Sequence, residues 1–143
     1  MKIVLAADHG GYHLKESLKA ALSEKGHEII DLGTDSDESV DYPIFGKAAG
    51  EYVASGQAER GIVACGTGIG ISIAANKVRG IRCAVAEDEE HVRLASAHNH
   101  ANILALGGRF QNVEDALRYI DIWLSTPWDE GRHDKRVAML DEM

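Results

Sequence analysis

The sequence predicts an α/β fold, a three-layer αβα sandwich around a five-stranded parallel sheet, and three observations predict it. Short runs rich in Ile, Val and Leu recur along the chain, separated by longer stretches whose apolar residues follow a helical period. Those runs lack strict polar alternation, the pattern of strands covered on both faces. The third run ends on Cys65 and passes directly into a loop with three glycines and another helical stretch.

The elements follow in order. Lys2 to Ala7 reads as the first strand, and Leu14, Leu18, Ala21 and Leu22 form the apolar stripe of the first helix, which Gly26 ends. Glu28 to Leu32 is the second strand and Tyr42 to Ala54 the second helix, stopped near Gly56. Gly61 to Ala64 and Gly70 to Lys77 make the third strand and helix, Arg82 to Ala86 and Glu87 to Ala97 the fourth pair. Asn102 to Leu106 is the fifth strand and Val113 to Leu124 the fifth helix, broken by Ser125-Thr126-Pro127. A last amphipathic piece, Val137 to Met143, is too short to stand alone, so residues 127–143 are expected to pack on the body or on a partner. With 143 residues and no linker or low-complexity segment, one domain over 1–143 is expected.

Composition narrows the function classes. The formal charge of -8 argues against nucleic acid as a partner, because phosphate backbones select basic surfaces. No apolar run approaches the roughly 18 residues a membrane span needs. Met1 to Asp8 turns acidic too early for a secretory leader, and Cys65 and Cys83 both sit in or beside apolar runs, which together predict a cytoplasmic protein without a disulfide. Against the acidic background, Arg132-His133-Asp134-Lys135-Arg136 is a local basic cluster, suited to a small anion or simply to a solvated helical face.

In open parallel sheets ligands bind beyond the carboxyl ends of the strands. Asp8 and His9 follow the first strand, Asp41 and Tyr42 lie on the loop after the second, Cys65 with Gly66-Thr67-Gly68-Ile69-Gly70 follows the third, and Gly107-Gly108-Arg109 follows the fifth. Each has a plain reading: a helix cap for Asp8, an exposed loop residue for His9, an inert core thiol for Cys65, a surface ion pair for Arg109. Their convergence on one rim favours acid–base chemistry on a phosphorylated substrate. The loop amides would open the third helix as an anion site, and the positive end of that helix favours a thiolate. The glycines match only part of a dinucleotide fingerprint, with Ile71 where the third glycine belongs and the wrong strand before them. His98-Asn99-His100 places two imidazoles close together, but no third clustered ligand accompanies them, so no metal site is expected.

These residues, taken together, resemble the type B ribose-5-phosphate isomerases, a family grouped with galactose-6-phosphate isomerase subunits. The resemblance runs nearly end to end. It rests on Asp8-His9, Asp41-Tyr42-Pro43, Cys65 to Gly70 followed by Ser72-Ile73-Ala74-Ala75-Asn76-Lys77, His98-Asn99, Gly107-Gly108-Arg109, and Gly131-Arg132-His133 with Arg136. It implies a Rossmann-like sandwich that works without metal or organic cofactor and interconverts an aldose phosphate and a ketose phosphate. By resemblance, Cys65 is the base that carries a proton between C2 and C1 through a cis-enediolate, with Thr67 and the amides of Gly66, Gly68, Ile69 and Gly70 around the negative oxygen. His98 opens the sugar ring, Asp8 and Asn99 hold sugar hydroxyls, His9, Arg132 and Arg136 hold the phosphate, and Tyr42 and Arg109 belong to the binding set.

His98 precedes the fifth strand, which should start it at the edge opposite Cys65. A homodimer with shared sites, alone or as a dimer of dimers, resolves this and agrees with the family. Two departures bear on substrate: His100 stands where many members carry Asp, and the fourth helix opens Glu87-Asp88-Glu89-Glu90-His91 with no aromatic near its start. Ribose 5-phosphate is the expected substrate. The alternatives are allose or galactose 6-phosphate, or a sugar-phosphate-binding regulatory domain without turnover.

Overall fold

The computed structural model describes residues 1–143, all of the chain. β1 (Lys2–Ala7), β2 (Glu28–Asp31), β3 (Arg60–Cys65), β4 (Cys83–Val85) and β5 (Ile103–Gly107) form one parallel sheet in the order β2-β1-β3-β5-β4. The predicted fold class is the observed one. Each continuous apolar strand sorts its side chains by pleat. Ile3, Leu5, Ala7, Ile62, Ala64, Leu104 and Leu106 face a core under α1 (Tyr12–Glu24), α4 (Glu89–Ala97) and α5 (Val113–Ser125), where Leu18, Leu22, Ile120 and Trp123 meet them. Val4, Ala6, Val63, Cys65, Ile103 and Ala105 face the other core, under α2 (Tyr42–Ala54) and α3 (Ile69–Asn76). Burial of a Leu- or Ile-sized side chain contributes about 1.5–3 kcal/mol, so two dry faces hold the sheet between its helix layers.

The boundaries that moved have local causes. α4 starts at Glu89 rather than Glu87 because Asp88 caps it, its Oδ1 accepting the His91 N–H at 2.8 Å. The last helix, α6 (Arg132–Asp141), starts five residues before the predicted Val137. Its N-cap Gly131 has φ 61 and ψ -123, a conformation open to glycine, and it follows Glu130 at φ 60. Apolar periodicity does not see a helix that starts on charged residues. α6 touches the body through buried His133 and Val137 and an ion pair from Asp141 to Arg82. No helix is long and apolar enough to cross a membrane, and Cys65 and Cys83 are both free thiols.

One buried charge is structural. Lys15 is 2 % exposed, and its Nζ donates to Asp31 at 2.8 and 2.9 Å and to Glu16 at 2.7 Å. Partial burial pushes the Asp31 carboxyl up, but hydrogen bonds from Lys15, Lys19 and the Gly33 amide outweigh it and hold Asp31 below its ordinary range. The network fixes the exit of β2, whose next segment pairs with Ala7 at the end of β1.

Candidate active site

The chain leaves β1 toward one edge of the sheet and resumes in β3 on the other side, so the carboxyl ends of β1 and β3 flank the crevice where strand order reverses. Register sets Ala7 beside Ala64 and Cys65 beside Gly107. Asp8 therefore emerges next to Cys65.

Asp8 is 6 % exposed and does not cap α1, whose N-cap is Gly11. Its Oδ1 accepts the amides of Gly10 at 2.9 Å and Gly11 at 3.3 Å, folding the turn, while Oδ2 takes no hydrogen bond within the chain. One oxygen is thus structural and the other free to accept. His9 accepts the Val40 N–H on Nδ1 at 3.1 Å, which leaves the proton on Nε2 and makes that nitrogen a donor.

Cys65 is 5 % exposed, and the Gly68 amide donates to its Sγ at 3.2 Å. Gly68 can aim that amide because it adopts φ 84 as the N-cap of α3. In the first turn of α3, the amides of Gly70 and Ile71 have no acceptor within the chain, and Thr67 Oγ1 accepts the Ile69 N–H at 3.1 Å, leaving the hydroxyl proton available. The end of β3 is therefore an amide-lined anion site with a thiol at its mouth. Arg109 joins none of the ion pairs of the chain; its guanidinium lies over Gly66, with Nη1 2.9 Å from where a Cβ would stand. Tyr42 covers the loop from the other side, its ring against Gly70.

Backbones meet closely around this rim. A Cβ on Gly11 would fall 2.5 Å from the carbonyl of Ala64, one on Gly10 2.8 Å from the Gly66 nitrogen, and one on Gly107 2.7 Å from the Thr67 oxygen. The paired glycines after β1 and β5 were visible in the sequence, but their contacts across strands were not.

The remaining predicted residues lie at the other end of the sheet. α4 runs back from the Cys65 rim, and His98 is its C-cap, with Asn99 exposed beyond it. Across β5, five residues at about 3.3 Å each separate the two rims by roughly 16 Å. Arg132 and Arg136 are exposed on α6 near His98 and form no ion pair. A cleft of about 550 Å³ opens beside Asn99, walled by Arg79, Ile81, Arg82, Leu140 and Met143. No comparable cavity encloses Cys65.

Two residues here had no role assigned from the sequence: His133, quoted there only as part of a motif and a basic cluster, and Asp129. His133 lies flat against His98, ring centroids 4.3 Å apart and planes 14° from parallel, and Asp129 stands 3.7 Å from His98 Nε2. Burial, then His98 and the Arg132 guanidinium, hold the His133 imidazole below the ordinary histidine range. Three ligand-type residues therefore do cluster, contrary to expectation, but they are His98, Asp129 and His133, and His100 is not among them. Donor atoms of His98, Asp129 and His133 lie within 4.8 Å of one another. Lone pairs of parallel imidazoles lie in parallel planes and do not converge on one ion, so as placed the trio does not fit a metal. His100 turns away at φ 47 to stack on Trp128 at 4.5 Å. The other departures are tied up locally, Glu89 to Arg118, Glu90 to Arg93 and His91 to Asp88.

The sequence profile of the Ribose/Galactose Isomerase family matches residues 3–140. The Escherichia coli (strain K12) protein named ribose-5-phosphate isomerase B is 44% identical over 139 residues, 97% of this chain and 93% of that one. A relative of solved structure, the Clostridium thermocellum ribose-5-phosphate isomerase B, superposes with TM-score 0.97 at 51% identity, covering 99% of this chain and 96% of the other. The Mycoplasma genitalium ribose-5-phosphate isomerase B, solved with bound ribulose-5-phosphate, superposes with TM-score 0.92 at 34% identity over 99% and 94% of the two chains.

Proposed function

The chain belongs to the Ribose/Galactose Isomerase family, and from that premise we propose that it is an aldose–ketose isomerase interconverting ribose 5-phosphate and ribulose 5-phosphate. The observation that carries the reading is the thiol at the end of β3, hydrogen-bonded by the Gly68 amide and fronted by the unpaired amides of α3. Cys65 takes the proton from C2 and returns it to C1. As the enediolate forms, negative charge grows on the adjacent oxygens, where the loop amides and the Thr67 hydroxyl can meet it, a contribution of order 10²–10³ in rate per donor. The free Oδ2 of Asp8 accepts a sugar hydroxyl, His9 Nε2–H and Arg109 are donors for the phosphate end, and Tyr42 walls the loop. None of these steps calls for a metal.

His98, Asn99, Arg132 and Arg136 complete the site from a second copy of the chain. The separation of the rims along β5 supports this, as does the lack of an enclosing cavity at Cys65. The working unit is then a homodimer with two shared sites, which we place in the cytoplasm in keeping with two free thiols. His98 opens the ring and Asn99 holds a hydroxyl, while the unpaired guanidiniums of α6 close on the phosphate.

The direct test is isomerisation by chelator-treated protein of ribose 5-phosphate, allose 6-phosphate and galactose 6-phosphate, with Cys65→Ser alongside. Turnover of the pentose phosphate above both hexose phosphates, lost in Cys65→Ser, is the expected result. A hexose phosphate turned over faster would move the assignment within the family, and activity retained by Cys65→Ser would remove the thiol from the mechanism.

A further inference from the structure

A ring-opening group must reach two oxygens of a closed sugar, the anomeric hydroxyl and the ring oxygen, and an error of about 1 Å in such a group costs on the order of 100-fold in rate. His98 is badly placed to achieve this alone. It caps the C-terminus of α4, its side chain is 37% exposed, and it has no hydrogen bond from its ring to the body of the protein. What holds it comes from the start of α6. The Asp129 amide donates to the Ala97 carbonyl at 2.9 Å, fastening the segment before α6 to the end of α4. The positive-φ pair Glu130 and Gly131 then turns the chain so that His133 enters the gap and is 8% exposed. Its ring lies parallel to that of His98 at van der Waals separation.

We propose that His133 is a positioning residue for ring opening: its buried imidazole, stacked on His98, fixes the plane and reach of the ring that opens the sugar. This rests on the reading of His98 given above. The stack suits the task because its outer member must gain and lose a proton during each opening. Two imidazoliums face to face would repel, so the inner ring serves best while neutral, and burial, followed by His98 and the Arg132 guanidinium, shifts the His133 pKa in that direction. Asp129, at 3.7 Å, and the Arg132 and Arg136 guanidiniums are the other charges facing the pair. A flat ring is required of the residue at 133, not a titrating one.

Ring opening can be read apart from isomerisation. In a Cys65→Ala background the proton cannot move between carbons, but opening and reclosing still exchange the α and β anomers of ribose 5-phosphate, a rate measured by ¹³C saturation transfer. We expect Cys65→Ala protein to accelerate this exchange and Cys65→Ala/His98→Ala to lose the acceleration. Adding His133→Ala to Cys65→Ala should cut it by about 10- to 100-fold, and His133→Phe should restore most of it, with calorimetric affinity for ribose 5-phosphate unchanged in both. Exchange unaffected by His133→Ala overturns the proposal, as does an affinity loss that matches the loss of exchange, since His133 would then bind substrate instead. A folded His133→Phe protein no better than His133→Ala also overturns it. Cys65→Ala protein that never accelerates exchange removes His98 from ring opening, and the positioning role falls with it; the isomerase assay would stand.

Discussion

The two rims of the sheet are built in different ways. At the carboxyl end, Asp8, Cys65 and Arg109 are set by backbone packed against backbone, through glycines where no Cβ fits and amides that point at a sulfur. At the opposite end, His98, Asn99, Arg132 and Arg136 project from two helix ends, held by a ring stack and one stapled amide. On the proposed reading, the proton transfer between carbons, which needs fixed dipoles, falls to the rigid rim. On the same reading the looser rim adds Arg132 and Arg136 to the phosphate donors His9 and Arg109 of the rigid one, since a long guanidinium can reach a phosphate from several directions.

The contrast predicts a ranking. Cys65→Ala should lower kcat by about 10³-fold or more, the upper range for losing an acid–base group. Mixing it with His98→Ala after verified subunit exchange should restore about a quarter of wild-type activity, because half the dimers are mixed and each of those has one intact site. No recovery in steady-state assays would break the assignment of the two rims to one shared site. Next comes Gly11→Ala, whose methyl would meet the Ala64 carbonyl at 2.5 Å. It should destabilise the fold by about 3 kcal/mol in denaturant melts and displace Asp8. Gly26→Ala, strained only by φ 91 with nothing within 4 Å, should cost about 1–2 kcal/mol and leave kcat alone.

Of similar size but read in binding instead of stability, Arg132→Ala or Arg136→Ala should raise KM about 10- to 100-fold, the worth of one charge-assisted hydrogen bond, without moving Tm. Equal losses in kcat would mean that these two arginines do more than bind. The smallest effect is a pH dependence. Burial, then Arg60 and Arg82, lower the pKa of His100, so the unfolded chain takes up its proton first as pH falls. His100 therefore costs stability progressively as pH drops from about 7 through its ordinary value near 6.5 to below its folded value. His100→Asn, which also tolerates positive φ, should flatten the fall of Tm between pH 7 and 5.

This division also explains what could be read from sequence. β1 and α2 were located to the residue, because apolar runs and Gly stops are local signals. The thiol loop was legible for the same reason: Cys65, three glycines and the helix they cap are contiguous. The partners of His98 were not legible. Asp129 and His133 are more than 30 residues further along; Asp129 is fastened to the end of α4 by its amide, and His133 arrives after a turn set by the backbone of Glu130 and Gly131, on a helix whose polar start hides it from hydrophobic periodicity. The turn role of Asp8, which its position before two glycines suggested only as a cap, likewise depends on amides that its own carboxylate folds into place.

β5 is buried at every residue, from Ile103 through Gly107, and is hydrogen-bonded on both sides. It acts as a ruler. Inserting two residues in its middle would preserve which side chains face which core, since the pleat repeats every second residue, yet lengthen the strand by about 6.6 Å. Under the shared-site proposal, both half-sites would survive intact in such a chain, and neither could meet its complement. Strand length, a property of the core, would then also be a dimension of the active site.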